Sequence, residues 1–206
     1  MPGEELTERR REEIIAGALK VFAERGYHKA GIADIARELG LGHGTFYRYF
    51  ANKRDIAEHV MRYAGRRILA AIASESPEAA GTAAEYHAQL QRIGRALYDL
   101  LIDDPQLSRI FFFEASGVDQ ELTERMLQGT DQFGAVTELY LRNGVAKGFL
   151  RADLDIPVTA RAINGMILAG ALAAFRAEDP AGVRDRWVTS VADLIIGGAG
   201  VHPADR

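Results

Sequence analysis

Apolar residues recur at three- and four-residue intervals along almost all of this 206-residue chain, and no stretch alternates apolar with polar as a half-buried strand would. That pattern restricts the fold class to all-α. A first helix is expected from about Thr7 to Arg25, with Ile14, Ala18, Val21 and Phe22 on one face and Gly26 ending it. A short helix follows over Ile32–Leu39, with Ile32, Ile35, Ala36 and Leu39 inward and Gly40 as its stop. A third spans His43–Tyr49, and a fourth starts near Asn52, which can cap it, and runs past Ile68 toward Ser74.

Longer helices come next. One is expected from about Pro77 to Ile102, broken by Asp103-Asp104-Pro105 because the residue before proline is pushed out of the helical region. A segment with Ile110, Phe111, Phe112 and Phe113 leads to a long helix from Gln120 to Lys147, ended by Gly148. Pro157 and Pro180 each suit the first turn of a helix, and the last one fades at Gly197-Gly198. The carboxylates at these breaks, Asp103-Asp104 and Asp153-x-Asp155, suffice as turn-forming and capping groups. The organisation that follows is a small head over residues 1–51, a larger helical body over 52–200 and a frayed tail over 201–206.

Composition excludes more than it identifies. Hydrophobic residues at 48% and charged residues at 26% describe an ordinary globular chain, not a disordered one. The absence of cysteine removes disulfide scaffolds, thiolate metal sites and cysteine nucleophiles together, and fits a reducing cytoplasm. The opening MPGEELTERRREE is charged with no apolar region behind it, so no signal peptide is expected. No apolar run is read as approaching the roughly 18 residues of a membrane span. The net charge of −4 hides an asymmetry. Up to Arg67 there are 13 Lys and Arg against 10 Asp and Glu, giving +3, and the remainder carries −7. Such a division between parts hints at divided labour.

Two short helices joined by Gly40-Leu41-Gly42, with a longer helix packed before them, form a helix-turn-helix unit. Its second helix must be slim, exposed and held by few core residues if it is to enter a groove about 12 Å wide. Phe46 and Phe50, four apart, can anchor it, which leaves His43, Gly44, Thr45, Tyr47 and Arg48 outward. Tyr49 and Lys53 then sit where a helix end and the next helix start meet phosphates.

At these residues the chain resembles the TetR family of helix-turn-helix transcriptional regulators. The matching positions are Asp34-Ile35-Ala36, Gly40, Gly44-Thr45-Phe46-Tyr47-Arg48-Tyr49-Phe50 and Asn52-Lys53. The resemblance implies an N-terminal three-helix DNA-binding head and a larger C-terminal helical domain for ligand binding and dimerisation. It implies phosphate contacts from Thr45, Tyr47, Tyr49 and Lys53, and base-edge contacts from His43, Gly44 and Arg48, with Arg48 suited to guanine. Two positions depart from the pattern. Ala30-Gly31 stands where a Thr or Ser normally caps the second helix and touches phosphate, and Gly42 stands where a serine is common.

The resemblance further implies a ligand-responsive regulator, most simply a cytoplasmic repressor released from a near-palindromic operator in double-stranded DNA by a small lipophilic effector. Tyr86, Phe112, Met126, Phe133 and Tyr140, with Phe111 and Phe113, are the expected apolar lining, with gaps beside Gly129 and Gly134. Glu114, His87, Gln132 and Asn164 are the candidate polar groups. A homodimer is expected through the last two long helices. Small residues there (Ala162, Gly165, Ala169, Gly170, Ala173) would face the bulky stripe of Val183, Trp187, Val191 and Leu194. No cofactor, metal site, membrane partner or catalytic function is expected. The glycine-rich stretches Gly40–Gly44 and Gly197–Gly200 lack the strand a dinucleotide loop needs, and the five histidines lack ligand spacing. The alternative is a helical protein-interaction adaptor, for which nucleic-acid binding would be absent.

Overall fold

The computed structural model describes residues 2–110 and 120–201, with the side chains of residues 2–4, 43 and 120–130 outside that description. Among the described residues the elements are α1 (Pro2–Arg25), α2 (Ile32–Glu38), α3 (His43–Phe46), α4 (Lys53–Ile72), α5 (Ala83–Asp103), α6 (Pro105–Arg109), α7 (Gln120–Ala146), α8 (Ile156–Phe175) and α9 (Pro180–Ala199). No strand accompanies them; Leu150 and Gly200 form an isolated antiparallel bridge. The chain divides into two compact units, Met1–Arg67 with Asp104–Leu127, and Ile68–Asp103 with Gln128–Arg206.

In the first unit α1 is the platform for α2 and α6. It begins at Pro2, earlier than the expected Thr7, since proline suits an opening turn that needs no N–H. Ile14, Ala18, Val21 and Phe22 are all buried, as their spacing predicts. Helix α2 comes close because residue 17 is glycine: a Cβ there would lie 2.7 Å from Leu39 Cδ2. Its end is a Schellman motif, with Leu41 N–H on Ala36 O at 2.8 Å and Gly40 N–H on Arg37 O at 3.2 Å. Gly40 sits at φ +62°, a left-handed conformation that glycine adopts without penalty. Asp104 caps α6 by accepting from Leu107 N–H at 2.9 Å and is also paired with Arg67. Leu107 and Ile110 are buried.

In the second unit α5, α8 and α9 pack on one another. Tyr86, Tyr140, Leu141, Phe149, Leu150, Ala160, Ile163 and Ile195 form its core. Helix α5 starts at Ala83, not Pro77, because Thr82 caps it and Glu85 reaches back to the residue before the cap. Thr82 Oγ1 accepts from Glu85 N–H at 3.2 Å, and the Glu85 carboxylate accepts from Gly81 N–H at 2.7 Å. Asp155 and Asp179 cap α8 and α9 by accepting from Val158 and Gly182 N–H. After α7 the chain turns back tightly; a Cβ on Gly144 would lie 2.5 Å from Leu150 Cδ1. The turn is tied to the end of α9 by Arg151 N–H on Ala199 O at 2.9 Å and Val201 N–H on Phe149 O at 3.3 Å.

The connection between α4 and α5 is strapped down by side chains of the same unit. Tyr140 Oη donates to Glu75 O at 2.6 Å, Gln89 Nε2 to Ser76 O at 2.7 Å, and Asn143 Nδ2 to Ala80 O at 2.9 Å. Lys147 Nζ reaches Glu78 O and Ala80 O, and Arg92 grips the Glu75 carboxylate through two nitrogens. The bond from Arg92 holds that carboxyl below its ordinary range.

Two expectations about α8 need correction. By length and composition this helix is apolar enough to cross a membrane. Its apolarity is shared among Ala, Gly, Ile, Leu and Met, so no bulky run announces it. Of the five small residues expected on one face, four do share an exposed one at three- and four-residue spacing, and Gly170 is the one that departs from it. Gly170 is buried where Tyr98 and Trp187 cross the helix, whereas Ala162, Gly165, Ala169 and Ala173 are exposed. Trp187 likewise belongs to its own subunit, donating from Nε1 to Met166 O at 3.0 Å.

Candidate nucleic-acid interface and ligand core

Helix α3 is a single turn, shorter than the expected His43–Tyr49. Beyond Phe46 the backbone tightens: Arg48 N–H bonds Thr45 O and Tyr49 N–H bonds Phe46 O, both three residues back. This tightening turns Phe50 inward beside Phe46, with ring centroids 5.7 Å apart. The two are 1% and 0% exposed. Burial on that scale contributes roughly 1.5–3 kcal/mol per side chain, so two aromatics hold the whole element.

The anchor leaves the opposite side of α3 outward. Gly44, Tyr47 and Arg48 are exposed, and a Cβ on Gly44 would meet nothing within 4 Å. Thr45 and Tyr49 are half-buried at the margins of that surface. His43 opens the helix, and its side chain lies outside the described residues. Lys53 stands apart from the others. Its Nζ is turned toward the α1–α2 connection and donates to Tyr27 O at 2.9 Å and Ala30 O at 3.0 Å.

The departure at Ala30-Gly31 has a local remedy. Gly31 is the N-cap of α2 and brings no side chain, so the side-chain bond at this end comes from inside the helix alone: Gly31 N–H donates to Asp34 Oδ2 at 2.9 Å. The other oxygen of Asp34 accepts from Arg25 at 2.8 Å and Arg37 at 3.0 Å. The Gly31 hydrogen bond, against an opposing effect of burial and with help from the Arg25 and Arg37 charges, holds the Asp34 carboxyl below its ordinary value. No sequence expectation named Asp34 for this; the acid three residues after a cap position was the available signal.

In the second unit Tyr86 and Tyr140 share one core, and Phe149 joins them with its ring 5.6 Å from that of Tyr86. Burial pushes both phenols above their ordinary range. Tyr140 is already engaged on the Glu75 carbonyl, while the buried hydroxyl of Tyr86 has no hydrogen-bond partner among the described residues. Phe133 is half-buried on α7; its carbonyl accepts from Thr137 Oγ1, which also meets Asn164 Oδ1 at 2.9 Å. Phe112 and the side chain of Met126 lie outside the described residues, as do Phe111, Phe113 and Glu114. Of the other polar candidates, Gln132 is exposed and His87 pairs with Asp193 across the α5–α9 seam at 2.7 Å.

Comparison with known proteins agrees with this arrangement. Residues 14–60 match the family described as bacterial regulatory proteins, tetR family, and residues 83–169 match the tetracyclin repressor-like C-terminal domain. The chain is 27% identical over 155 residues to the fatty acid metabolism regulator protein of Bacillus subtilis, covering 75% of this chain and 78% of that one. Among solved structures it is similar to the fatty acid degradation regulator FadR of Bacillus halodurans, with a TM-score of 0.76 at 24% identity over 92% of this chain and 95% of that one. FadR of Bacillus subtilis, solved in complex with stearoyl-CoA, gives a TM-score of 0.73 at 24% identity, covering 93% and 99%. The chain belongs to the TetR family. It is a ligand-responsive, DNA-binding transcriptional regulator with an N-terminal helix-turn-helix domain and a helical ligand-binding C-terminal domain.

Proposed function

We propose that this regulator is a cytoplasmic homodimeric repressor that leaves a near-palindromic operator when it binds a long-chain acyl effector, and that it has no catalytic chemistry of its own. The observation carrying the DNA reading is the exposure of Gly44, Tyr47 and Arg48 beside the buried Phe46–Phe50 anchor. In this reading residues 1–51 are the DNA-binding domain and 52–200 the effector and dimerisation domain. His43, Gly44 and Arg48 meet base edges, and Thr45, Tyr47 and Tyr49 position the helix on phosphates.

The acyl class is supported by the fatty acid regulator that the chain resembles and by the stearoyl-CoA held by the Bacillus subtilis FadR. We assign the effector to the apolar core around Tyr86, Phe133 and Tyr140, together with Phe112 and Met126. An effector that binds the DNA-free form more tightly weakens DNA binding by the same factor. Dimerisation is supported by Val158, Leu168 and Leu194, large apolar side chains that α8 and α9 leave exposed. Two-fold symmetry would then match two half-sites.

The test is fluorescence anisotropy on a duplex from the DNA upstream of the protein's own gene and on its scrambled counterpart. Tighter binding to the former, falling steeply with salt, is expected. Equal binding to both at every salt concentration contradicts specific recognition, and no binding to either favours the adaptor alternative.

A further inference from the structure

Lys53 opens α4, three residues after Phe50 of the buried anchor. Its ammonium group has three N–H donors and no acceptor. Three backbone carbonyls face it: Tyr27 O at 2.9 Å, Ala30 O at 3.0 Å and, longer, His28 O at 3.4 Å. The same nitrogen lies 4.4 Å from the centroid of the Tyr27 ring, where the π face attracts a cation. A phosphate oxygen could take this ammonium only by displacing one of those carbonyls.

The carbonyls belong to the short turn between α1 and α2. Ala30 directly precedes Gly31, the side-chain-less N-cap of α2. The entry to α2 is therefore gripped twice, by Asp34 on the Gly31 N–H and by Lys53 on the Ala30 carbonyl. The start of α4 is itself fixed, since Asp55 Oδ2 accepts from Ala51 N–H at 2.8 Å and Asn52 Oδ1 from Asp55 N–H at 2.9 Å. Helix α3 lies in sequence between these two fixed points and is only four residues long. It has no length of its own with which to set its direction.

We infer that Lys53 is a positioning residue for operator recognition. It staples the start of α4 to the α1–α2 turn and so fixes the pose in which α3 offers Tyr47 and Arg48, and it does not neutralise a phosphate. This rests on the reading of α3 as the recognition element.

The experiment compares wild type, Lys53→Met and Lys53→Arg by anisotropy. One duplex is selected by the wild-type protein from a random-sequence pool and the other is scrambled, over about 50–200 mM salt. Thermal melts are recorded in parallel. The positioning role predicts that Lys53→Met loses about tenfold or more on the selected duplex and little on the scrambled one. The slope of log affinity against log salt stays as in wild type. Lys53→Arg behaves like Lys53→Met, because a planar guanidinium does not match three converging carbonyls. A slope reduced by about 0.9 in Lys53→Met, equal weakening of both duplexes, or full rescue by arginine identifies a phosphate contact and overturns the inference. A lower melting point with both affinities unchanged below it shows a purely structural lysine and overturns it as well. If the wild type selects no duplex, the recognition reading of α3 fails first, which separates that failure from failure of the staple.

Discussion

Asp34 ties the start of α2 to its side-chain-less N-cap: its carboxylate accepts the Gly31 backbone N–H at 2.9 Å while holding Arg25 and Arg37 with its other oxygen. Removing it in Asp34→Ala leaves the first turn of α2 without that acceptor and lowers the denaturation midpoint. The pH dependence has a definite sign. The folded pKa lies below the ordinary 3.8, so the stabilisation is fully present above that value and is lost as pH falls through the lower, folded one. Urea midpoints of wild type and Asp34→Ala should differ at neutral pH, begin to approach one another only below about pH 4, and meet once pH is below the folded pKa. A gap that is constant over this range would show that the Asp34 charge contributes nothing.

Gly170 is the point where α5 and α9 both reach across α8. Tyr98 Oη donates to Ile167 O at 3.2 Å and Trp187 Nε1 to Met166 O at 3.0 Å, and a Cβ on Gly170 would run into both side chains. Gly170→Ala should cost about 1–3 kcal/mol of stability by overpacking. Trp187 is the chain's one tryptophan, so its emission reports directly on this crossing. An unchanged midpoint and an unchanged emission spectrum would mean that the crossing is not tightly packed.

The paired change Leu168→Asp and Leu194→Asp places charges where α8 and α9 expose leucines, 47% and 61% accessible. Sedimentation should show a dimer for wild type and a monomer for the double variant, with helicity preserved by circular dichroism. A double variant that remains dimeric would remove these two helices from the proposed interface.

Arg48→Ala should relax preference at one base pair per half-site by about 1–3 kcal/mol, leaving preferences elsewhere intact. A scan of single-base operator changes measures it. Uniform weakening across every position would instead make Arg48 a phosphate contact.

How much was legible beforehand depended on the range of the determining interaction. The aspartate caps on α6 and α8 and the opening of α9 at Pro180 were readable because Asp and Pro act within one turn of where they stand, whereas Asp179, the cap of α9, is not among the expected caps. The Thr82 cap with Glu85 obeys equally local rules, yet the periodic pattern running back to Pro77 outweighed it. The Phe46–Phe50 anchor followed from spacing, but the shortness of α3 did not, because its last turn is tightened by tertiary burial of Phe50. The destinations of Lys53 and Gly170 were beyond reach. A long cation at a helix start suits phosphate and carbonyl equally well, and a small residue on a helix does not disclose which neighbour crosses it. Only the chain's return to Tyr27, Tyr98 and Trp187 decides those cases.

The most direct test of the account adds stearoyl-CoA, and in parallel free stearate and coenzyme A, to the preformed complex of the protein with its selected duplex. The account predicts that stearoyl-CoA lowers the anisotropy to that of free DNA in a saturable manner, and that coenzyme A alone does not. If no acyl compound changes DNA affinity at concentrations that saturate binding to the protein, the effector class assigned here is contradicted.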